Sequence, residues 1–318
     1  MRSALVAGAT GFIGTNLVRT LLDAGVTTYG LMRGASANRG RLEALEGFRV
    51  IPIASYDTAE LERALKTVEV DVIYSALGSG TSHAEDRWEV LLDGNIRAAT
   101  DVARLATGRA RRLVHVGTCL EYAPKEGILV ESDPVAPGSA YSATKAASEI
   151  LVTHLCRSAG LEHVHARLFN TYGYFEGQNR LIPFLLRQLR AGKPADLTVG
   201  SHVRDFTFVT DVTDALSRLG DAPLTDGRGL FNICTGEGVP VRRVAETVAD
   251  VVGFPRELLH FGARPERREE PARIVGSSAR LRELTGWKPA VDLMGGIERM
   301  ARGVPDAGPS GKGTTSSH

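Results

Sequence analysis

A tyrosine and a lysine one helical turn apart are the residues with the clearest chemistry in this sequence. Tyr141 and Lys145 stand at positions i and i+4 of the segment 140–145, so a helix would place them on one face. A lysine ammonium near a phenol stabilises the phenolate and lowers its pKa towards neutrality. The pair therefore predicts a proton donor and acceptor, although this spacing also occurs in helices without any chemistry.

A hydroxyl group is placed to assist the pair. Thr118 directly follows the apolar run 113–117, which is typical of a buried strand. Ligands of parallel sheets bind beyond the carboxyl ends of the strands. We therefore expect Thr118 to hydrogen-bond the reacting oxygen beside Tyr141.

The first apolar run ends in a glycine-rich turn that opens a helical pattern. Glycines at this spacing allow a tight turn and a close approach of the backbone to a pyrophosphate, which then faces the positive end of the helix. A turn without a ligand is the structural alternative, but the position between strand and helix favours a bound dinucleotide. Its expected contacts are Gly8, Thr10, Gly11, Phe12, Ile13 and Gly14.

The end of the second strand bears on the choice of cofactor. An acidic residue there would bind the ribose diol of NAD, but the segment 30–33 has none. Arg33 can pair with a 2′-phosphate, so NADP(H) is favoured and NAD(H) stays possible; a solvated surface arginine is the alternative. Further contacts are expected after strands three and four: Asp57 (or Ser55) near the adenine, with Ala76 and Leu77 flanking the cofactor.

Strand and helix patterns alternate along the first 170 residues, which predicts an α/β fold with a doubly wound parallel sheet. We expect a dinucleotide-binding domain over 1–170, with a strand returning to it at about 204–235. A smaller, interleaved α/β substrate-binding domain is expected over 171–303, and a flexible tail over 304–318. Strands are predicted at 5–7, 27–32, 50–53, 70–77, 113–117, 163–168, 197–199, 204–209 and 230–233, and helices at 15–24, 91–106, 141–159, 179–191, 241–252, 279–285 and 292–301.

Composition excludes several classes of protein. The 318 residues carry a formal net charge of +1, which gives no electrostatic basis for binding nucleic acid or a membrane surface. No apolar run reaches the roughly 18 residues of a membrane span. The three cysteines lie far apart, so we predict neither a disulfide framework nor a metal site. A reduced, cytoplasmic compartment is the expectation.

The glycine turn, Thr118, Tyr141 and Lys145, in this order and spacing, resemble the extended short-chain dehydrogenase/reductase family. More narrowly, the chain resembles its nucleotide-sugar epimerase/dehydratase/reductase branch, with matching blocks at 167–173, 180–183, 203–212 and 286–289 and Asn95 in the helix after strand four. The resemblance implies a Rossmann sheet, a catalytic triad of Thr118, Tyr141 and Lys145, and a bound nicotinamide ribose at Lys145. It also implies a homodimer in which the helix of Tyr141 and the helix 91–106 pair across a two-fold axis.

The same resemblance implies a nucleotide-sugar substrate and names candidates for its pocket. Arg204 and Arg264 match positions that hold the diphosphate in this family, a task suited to planar guanidinium groups. A salt bridge between Arg204 and Asp205 is the structural alternative. The remaining candidates are Asn170 and Arg180 in the same pocket and His83, which either touches the sugar or lies at the surface.

The residues after Thr118 bear on the reaction. The 4,6-dehydratases of this branch carry a carboxylate two residues after the threonine, where this chain has Leu120, and Glu121 comes one place late. The fucose-synthase-like enzymes carry a cysteine at that second position, whereas Cys119 comes one place early. We therefore disfavour a dehydratase and expect Cys119 to be an inert packing residue.

Two reactions and one other class of function remain. The C-terminal blocks are most similar to the GDP-mannose dehydratase and GDP-4-keto-6-deoxymannose reductase group. With Arg33, this similarity favours NADPH-dependent reduction of a nucleotide-activated 4-keto-6-deoxyhexose, with Tyr141 as the proton donor. A nucleotide-sugar 4-epimerase with a tightly held cofactor is the alternative. A regulatory protein that binds NADP(H) without turnover is the third reading, but such relatives typically lose the tyrosine or the lysine.

Overall fold

The structure is a computed structural model that describes residues 1–34, 36–80, 87–225, 228–266 and 271–303. His83 and the predicted tail at 304–318 lie outside the described residues. The strands are β1 (Ser3–Ala7), β2 (Thr27–Arg33), β3 (Phe48–Ile53), β4 (Val70–Ser75), β5 (Ala110–Thr118), β6 (Ile128–Leu129), β7 (Glu162–Leu168), β8 (Asn170–Tyr172), β9 (Ala195–Leu197), β10 (Val203–Arg204), β11 (Phe206–Phe208), β12 (Arg228–Ile233), β13 (Val239–Pro240), β14 (Leu259–Phe261) and β15 (Arg273–Gly276). The α-helices are α1 (Phe12–Asp23), α2 (Gly40–Glu43), α3 (Thr58–Ala64), α4 (Trp88–Leu91), α5 (Ala98–Ala106), α6 (Ala140–Ser158), α7 (Leu181–Arg190), α8 (Val209–Asp221), α9 (Val241–Val252), α10 (Ala279–Thr285) and α11 (Leu293–Arg302).

Seven parallel strands form the central sheet, in the order β12-β7-β5-β4-β1-β2-β3. The order reverses direction between β1 and β4, which is the point where a doubly wound sheet opens a crevice for ligands. The predicted fold class is confirmed. The six strands predicted between residues 5 and 168 all belong to this sheet.

Apolar layers cover both faces of the central sheet because alternate side chains of each strand point to opposite faces. Val6 contributes to one layer, with Leu17 of α1 and Leu216 of α8. Leu5 contributes to the other, with Val102 of α5 and Val152 of α6. Burial on both faces fixes the strand ends, and with them the loops at the carboxyl edge.

The C-terminal part has its own core and three small sheets. The small sheets pair β13-β10-β15-β6, β11-β8 and β14-β9. Leucine, valine and isoleucine side chains of α7, α9 and α11 form the apolar cluster between them, including Leu185, Val248 and Ile297. The chain therefore leaves the central sheet after β7 and returns to it with β12, which pairs with β7.

Several predicted boundaries in this part were wrong. The segment 204–209 is not one strand of the central sheet: β10 and β11 belong to two small sheets, and α8 begins at Val209. Asp205 separates the two strands because its carboxylate accepts hydrogen bonds from Thr235 and Gly236. The helix α8 was not predicted, and the predicted strand 197–199 is instead the end of β9.

The helix predicted at 91–106 is also more elaborate than expected. It begins at Trp88 with α4, widens into a π-helical turn over Leu92–Arg97, and continues as α5. Turns of this kind are frequent at functional sites because they redirect one side chain out of the helical register. Within the described part of the chain, no helix combines the length and the apolar character needed to cross a membrane.

Candidate active site

The glycine turn between β1 and α1 lies against the end of β4. Gly8 has a φ of +83°, and a Cβ there would lie 2.6 Å from the Ala76 carbonyl oxygen. A Cβ at Gly14 would lie 2.7 Å from the Gly8 carbonyl carbon. Gly11 is the N-cap of α1 and has no side chain to accept the first N–H groups of that helix. This cradle fits the pyrophosphate of a dinucleotide, and Thr10, Phe12 and Ile13 complete it.

Tyr56, which the sequence analysis did not predict as a site residue, hydrogen-bonds to this turn. The Tyr56 hydroxyl accepts a hydrogen bond of 2.9 Å from the Gly8 N–H. Burial raises the pKa of Tyr56, and the charge of Arg33 opposes that rise. Arg33 itself is exposed at the end of β2.

In the structure, the role of Asp57 is to cap a helix. It is the N-cap of α3, and its carboxylate accepts a hydrogen bond of 2.9 Å from the Glu60 N–H. The Ser55 hydroxyl donates to the same side chain. A capping carboxylate is already satisfied by the helix, so the predicted adenine contact receives no support from this geometry.

The lysine of the predicted triad joins two strand ends. Lys145 is buried in α6, and its Nζ donates to the carbonyl oxygens of Leu77, at 3.2 Å, and Val116, at 2.6 Å. Burial lowers the pKa of Lys145 to about 8, and the carboxylate of Glu121 opposes that change. Lys145 thus connects the segment after β4, which also contacts the glycine turn, to the end of β5.

The tyrosine lies in the same crevice. Ser139 caps α6 with a reciprocal Ser142 hydrogen bond, so the helix begins directly before Tyr141. A Cβ built at Gly80, in the loop after β4, would lie 3.7 Å from the Tyr141 ring. The phenol therefore faces the loop that flanks the glycine turn and Lys145.

Sequence analysis predicted that Lys145 lowers the pKa of the Tyr141 phenol, and the structure shows the opposite direction. Burial raises the pKa of Tyr141, the charge of Glu121 raises it further, and Arg180 acts against both. Burial is the largest effect because a phenolate loses its hydration in the closed crevice. In this geometry the phenol is a protonated group at neutral pH.

The threonine of the triad ends β5 beside these groups. Its Oγ1 accepts a hydrogen bond of 3.3 Å from the Leu120 N–H, within a capping box that also involves Glu121. An oxygen that accepts from its own turn keeps its hydroxyl proton for another acceptor. Thr118 can therefore donate to a ligand oxygen in the crevice.

An asparagine in the π-helical turn holds this arrangement together. Asn95 is fully buried; its Oδ1 accepts from the Ser79 N–H at 2.7 Å, and its Nδ2 donates to the Ser79 carbonyl at 3.1 Å. The same Nδ2 donates to Thr144 Oγ1 of α6 at 2.9 Å. Asn95 entered the sequence analysis only through the family resemblance, and no spacing rule would have found its partners.

The predicted substrate residues fall into different environments. Arg180 is the N-cap of α7, with Nε 3.6 Å from Glu176 Oε1, and its charge reaches Tyr141. Arg204 is 6% exposed and donates to the Val203 carbonyl at 3.0 Å. Arg264 is exposed, with its guanidinium 5.7 Å from the Phe184 ring centroid. Asn170 starts β8 and is half-buried. Of these four residues, Arg180 therefore has the clearest connection to the crevice, through its charge effect on Tyr141.

Two further groups near Thr118 were considered in the sequence. Cys119 is buried, and burial raises the pKa of its thiol to about 12, as expected for a packing residue.

Among the described residues, Glu121, Glu149 and His165 form a cluster. Their carboxylate and imidazole ligand atoms lie within 4.8 Å of one another. Arg167 donates to both carboxylates at 2.7 Å, so a guanidinium already provides the positive charge that a metal would supply.

Comparisons with known proteins agree with this geometry. Residues 4–234 match the NAD dependent epimerase/dehydratase family. A UDP-glucose 4-epimerase of Mycolicibacterium smegmatis is 30% identical over 309 residues, 93% of this chain and 96% of that protein. A probable GDP-L-fucose synthase 1 of Oryza sativa subsp. japonica is 27% identical over 315 residues, 92% and 88% of the two chains.

The fold has a counterpart of known structure. The UDP-glucose 4-epimerase of Thermus thermophilus, crystallised in complex with NAD, superposes with a TM-score of 0.84 at 24% identity, covering 94% of this chain and 98% of that one. The family match spans most of this chain, and the M. smegmatis relative is covered almost completely. The protein therefore belongs to the NAD-dependent epimerase/dehydratase family of extended short-chain dehydrogenases/reductases.

Proposed function

We propose that this protein reduces the keto group of a nucleotide-activated 4-keto-6-deoxyhexose with NADPH, using Tyr141 as the proton donor. The observation that carries the proposal is that Lys145 bonds the Leu77 carbonyl and the Tyr141 ring lies beside Gly80, both in the segment after β4, while Thr118 ends the neighbouring strand β5. A bound nicotinamide supplies the hydride in this chemistry. The protein's own residues supply the proton, orient the sugar and exclude water.

The protonation state of Tyr141 suits the proton-donating step of a reduction. A ketone that gains a hydride becomes an alkoxide, which needs a proton at once. The raised pKa of Tyr141 keeps a proton on the phenol at neutral pH, and the hydroxyl of Thr118 can donate a second hydrogen bond to the same oxygen.

The surroundings of Glu121 speak against a dehydratase. Its carboxylate is fully buried and accepts hydrogen bonds from His165 and Arg167. Those contacts keep it away from the ligand side of β5, and Leu120 offers no acid–base group. No other carboxylate follows Thr118 at the spacing that the dehydratases use.

The preference for NADP(H) rests on Arg33 and is part of the proposal. Its exposed guanidinium lies at the end of β2, where the adenosine ribose binds in such sheets. NAD(H) is the alternative, and the T. thermophilus relative was crystallised with NAD. Replacing Arg33 distinguishes the two cofactors, because only the affinity for NADPH should depend on this side chain.

We expect Arg33→Ala to weaken NADPH binding by about tenfold to a hundredfold, because a charge-assisted hydrogen bond to the 2′-phosphate is lost. NADH binding should change by less than about twofold, since its ribose carries no phosphate. Fluorescence titration of both cofactors measures this difference. Arg49→Ala, which removes an exposed arginine stacked on Tyr29, is the control; equal losses of NADPH and NADH in Arg33→Ala would contradict the contact.

A 4-epimerase is the second candidate, favoured by the M. smegmatis relative. Two measurements on the same protein separate the functions. Oxidation of NADPH or NADH is followed at 340 nm with GDP-, dTDP-, CDP- and UDP-4-keto-6-deoxy sugars. UDP-glucose is incubated with the protein and analysed for conversion to its 4-epimer. Consumption of one NADPH per keto sugar supports the reductase. Epimer formation without net loss of cofactor supports the epimerase. Binding without turnover across the panel supports a regulatory protein.

We further propose a homodimer built from α6 and the helix that contains α5. Exposed apolar side chains on this face include Trp88, Ile150 and Leu151, with Ile150 exposed to 66%, and such patches mark interfaces. We expect Ile150→Asp to convert a dimer into a monomer in sedimentation velocity at micromolar concentration. Met294→Asp, on an exposed position of α11, should leave the dimer intact; a monomeric wild-type protein would refute the proposal.

A further inference from the structure

A buried carboxylate lies directly behind the end of β5 and has no part in the reaction described above. Glu121 Oε1 accepts a hydrogen bond of 2.8 Å from the Thr118 N–H. Glu121 Oε2 accepts from His165 Nε2 at 3.0 Å and from Arg167 Nε at 2.7 Å. Both oxygens are thus used, one by the backbone of the triad threonine and one by two side chains of β7.

The residue before Thr118 is a glycine because the His165 ring and this carboxylate together fill the space of its side chain. A Cβ at Gly117 would lie 2.6 Å from Glu121 Oε1 and would also clash with the His165 ring. Gly117 does not adopt a positive φ, so space and not backbone conformation requires the glycine. The carboxylate therefore lies against the backbone of β5.

Lys145 holds the same three residues from α6. Its Nζ donates to the Val116 carbonyl at 2.6 Å, while Glu121 accepts from the Thr118 N–H two residues later. An ammonium and a carboxylate thus fix the strand end at which Thr118 is presented. Neither group is exposed to solvent.

The charged and titratable groups around Glu121 come from its own turn, from β7 and from α6. His165 and Arg167 face it from β7; Tyr141, Lys145 and Glu149 face it from α6; Cys119 and Tyr122 belong to its own turn. Arg167 is shared by two carboxylates, Glu121 and Glu149. Among these groups, Glu121 is the anion whose charge acts on the buried ammonium of Lys145.

We propose that Glu121 is a positioning residue of the active site, which holds the Thr118 backbone in place and supplies the buried negative charge that keeps Lys145 protonated. Only the kinetic test of this proposal rests on the proposed function. The electrostatic part of the proposal follows from burial and charge, because the Glu121 carboxylate raises the pKa of both Lys145 and Tyr141. Burial raises the pKa of Glu121 itself, but His165 and Arg167 together hold it below its usual value.

Glu121→Gln tests the charge while it keeps the size of the side chain and an oxygen for the Thr118 N–H. In protein labelled with ¹³C-lysine, the Lys145 ε-carbon resonance, assigned by its absence from Lys145→Met, reports the titration of Lys145 without any substrate. We expect its midpoint to fall by about one pH unit in Glu121→Gln, because a nearby anion is lost. An unchanged midpoint would overturn the electrostatic role.

Kinetics supply the second readout. The proposal requires Lys145 in its charged form, so the alkaline limb of the kcat/KM profile should move to lower pH by about one unit in Glu121→Gln. Glu162→Gln is the control, because Glu162 starts β7 and forms its ion pair with Arg112 instead of Arg167. It should leave the limb in place, and a similar shift in both variants would contradict a specific role of Glu121.

Glu121→Asp separates position from charge. The shorter side chain keeps the anion but cannot reach Thr118 and Arg167 together, so we expect a loss of kcat of about tenfold or more with the alkaline limb nearly unmoved. Wild-type kcat in Glu121→Asp would overturn the positioning role. If the wild-type protein turns over no nucleotide sugar, the proposed function fails, and the lysine titration still decides the role of Glu121.

Discussion

Tyr141→Phe is expected to lower kcat by at least about a hundredfold, because a positioned proton donor contributes rate factors of that size or more. The phenylalanine ring keeps the apolar contacts beside Gly80 and removes only the hydroxyl. The dissociation constant of the cofactor should therefore change by less than about threefold, since the glycine turn is untouched. Single-turnover kinetics at 340 nm and a fluorescence titration measure the two quantities.

The control for this variant is a tyrosine outside the crevice. Tyr29 lies on β2, and its hydroxyl accepts a hydrogen bond from Arg49 at the surface. Tyr29→Phe should retain the wild-type kcat. A near-normal rate in Tyr141→Phe would remove Tyr141 from the mechanism, and a large loss of cofactor affinity would mean that its role is in binding.

Gly14→Ala is expected to raise the dissociation constant of the nicotinamide cofactor by about tenfold or more. The new methyl group would meet the Gly8 carbonyl group and lie 2.9 Å from the Ala9 Cα, distances that no side-chain movement can relieve because both neighbours are backbone. The first turn of α1 must therefore shift away from β1, at a cost of about 1–3 kcal/mol for overpacking. That shift moves the helix N-terminus away from the pyrophosphate it would bind.

Gly40→Ala is the matched control for this variant. Gly40 begins α2, has an ordinary φ, and a Cβ there meets no described atom within 4 Å. It should bind the cofactor like the wild type and melt at the same temperature or slightly higher, since alanine favours helices. Wild-type cofactor affinity in Gly14→Ala would show that the close turn has no part in binding.

The parts of this protein that sequence could predict are those set by local patterns. The sheet follows from short apolar runs bounded by turns, and α9 was predicted at its observed bounds because its apolar positions recur at helical spacing. The glycine turn and the pair Tyr141 and Lys145 were found because their spacing is itself the signature.

The parts that could not be predicted depend on contacts between distant segments. The break at Asp205 arises from hydrogen bonds to Thr235, 30 residues away. Glu121 looked like a misplaced acid in the sequence, and only its partner Arg167 on β7 shows why it is buried. Burial likewise reversed the expected direction of the Tyr141 pKa, because the degree of desolvation depends on how α6 packs and not on the i, i+4 spacing.

The π-helical turn has a consequence for how the loop after β4 and the helix of Tyr141 are held together. Asn95 bonds to both backbone groups of Ser79 and to Thr144, and Thr144 stands between Tyr141 and Lys145 in α6. One amide thus ties the loop that flanks the cofactor crevice to the helix that carries the proton donor. The spacing between the loop after β4 and α6 is therefore set by a single buried side chain of the π-helical turn.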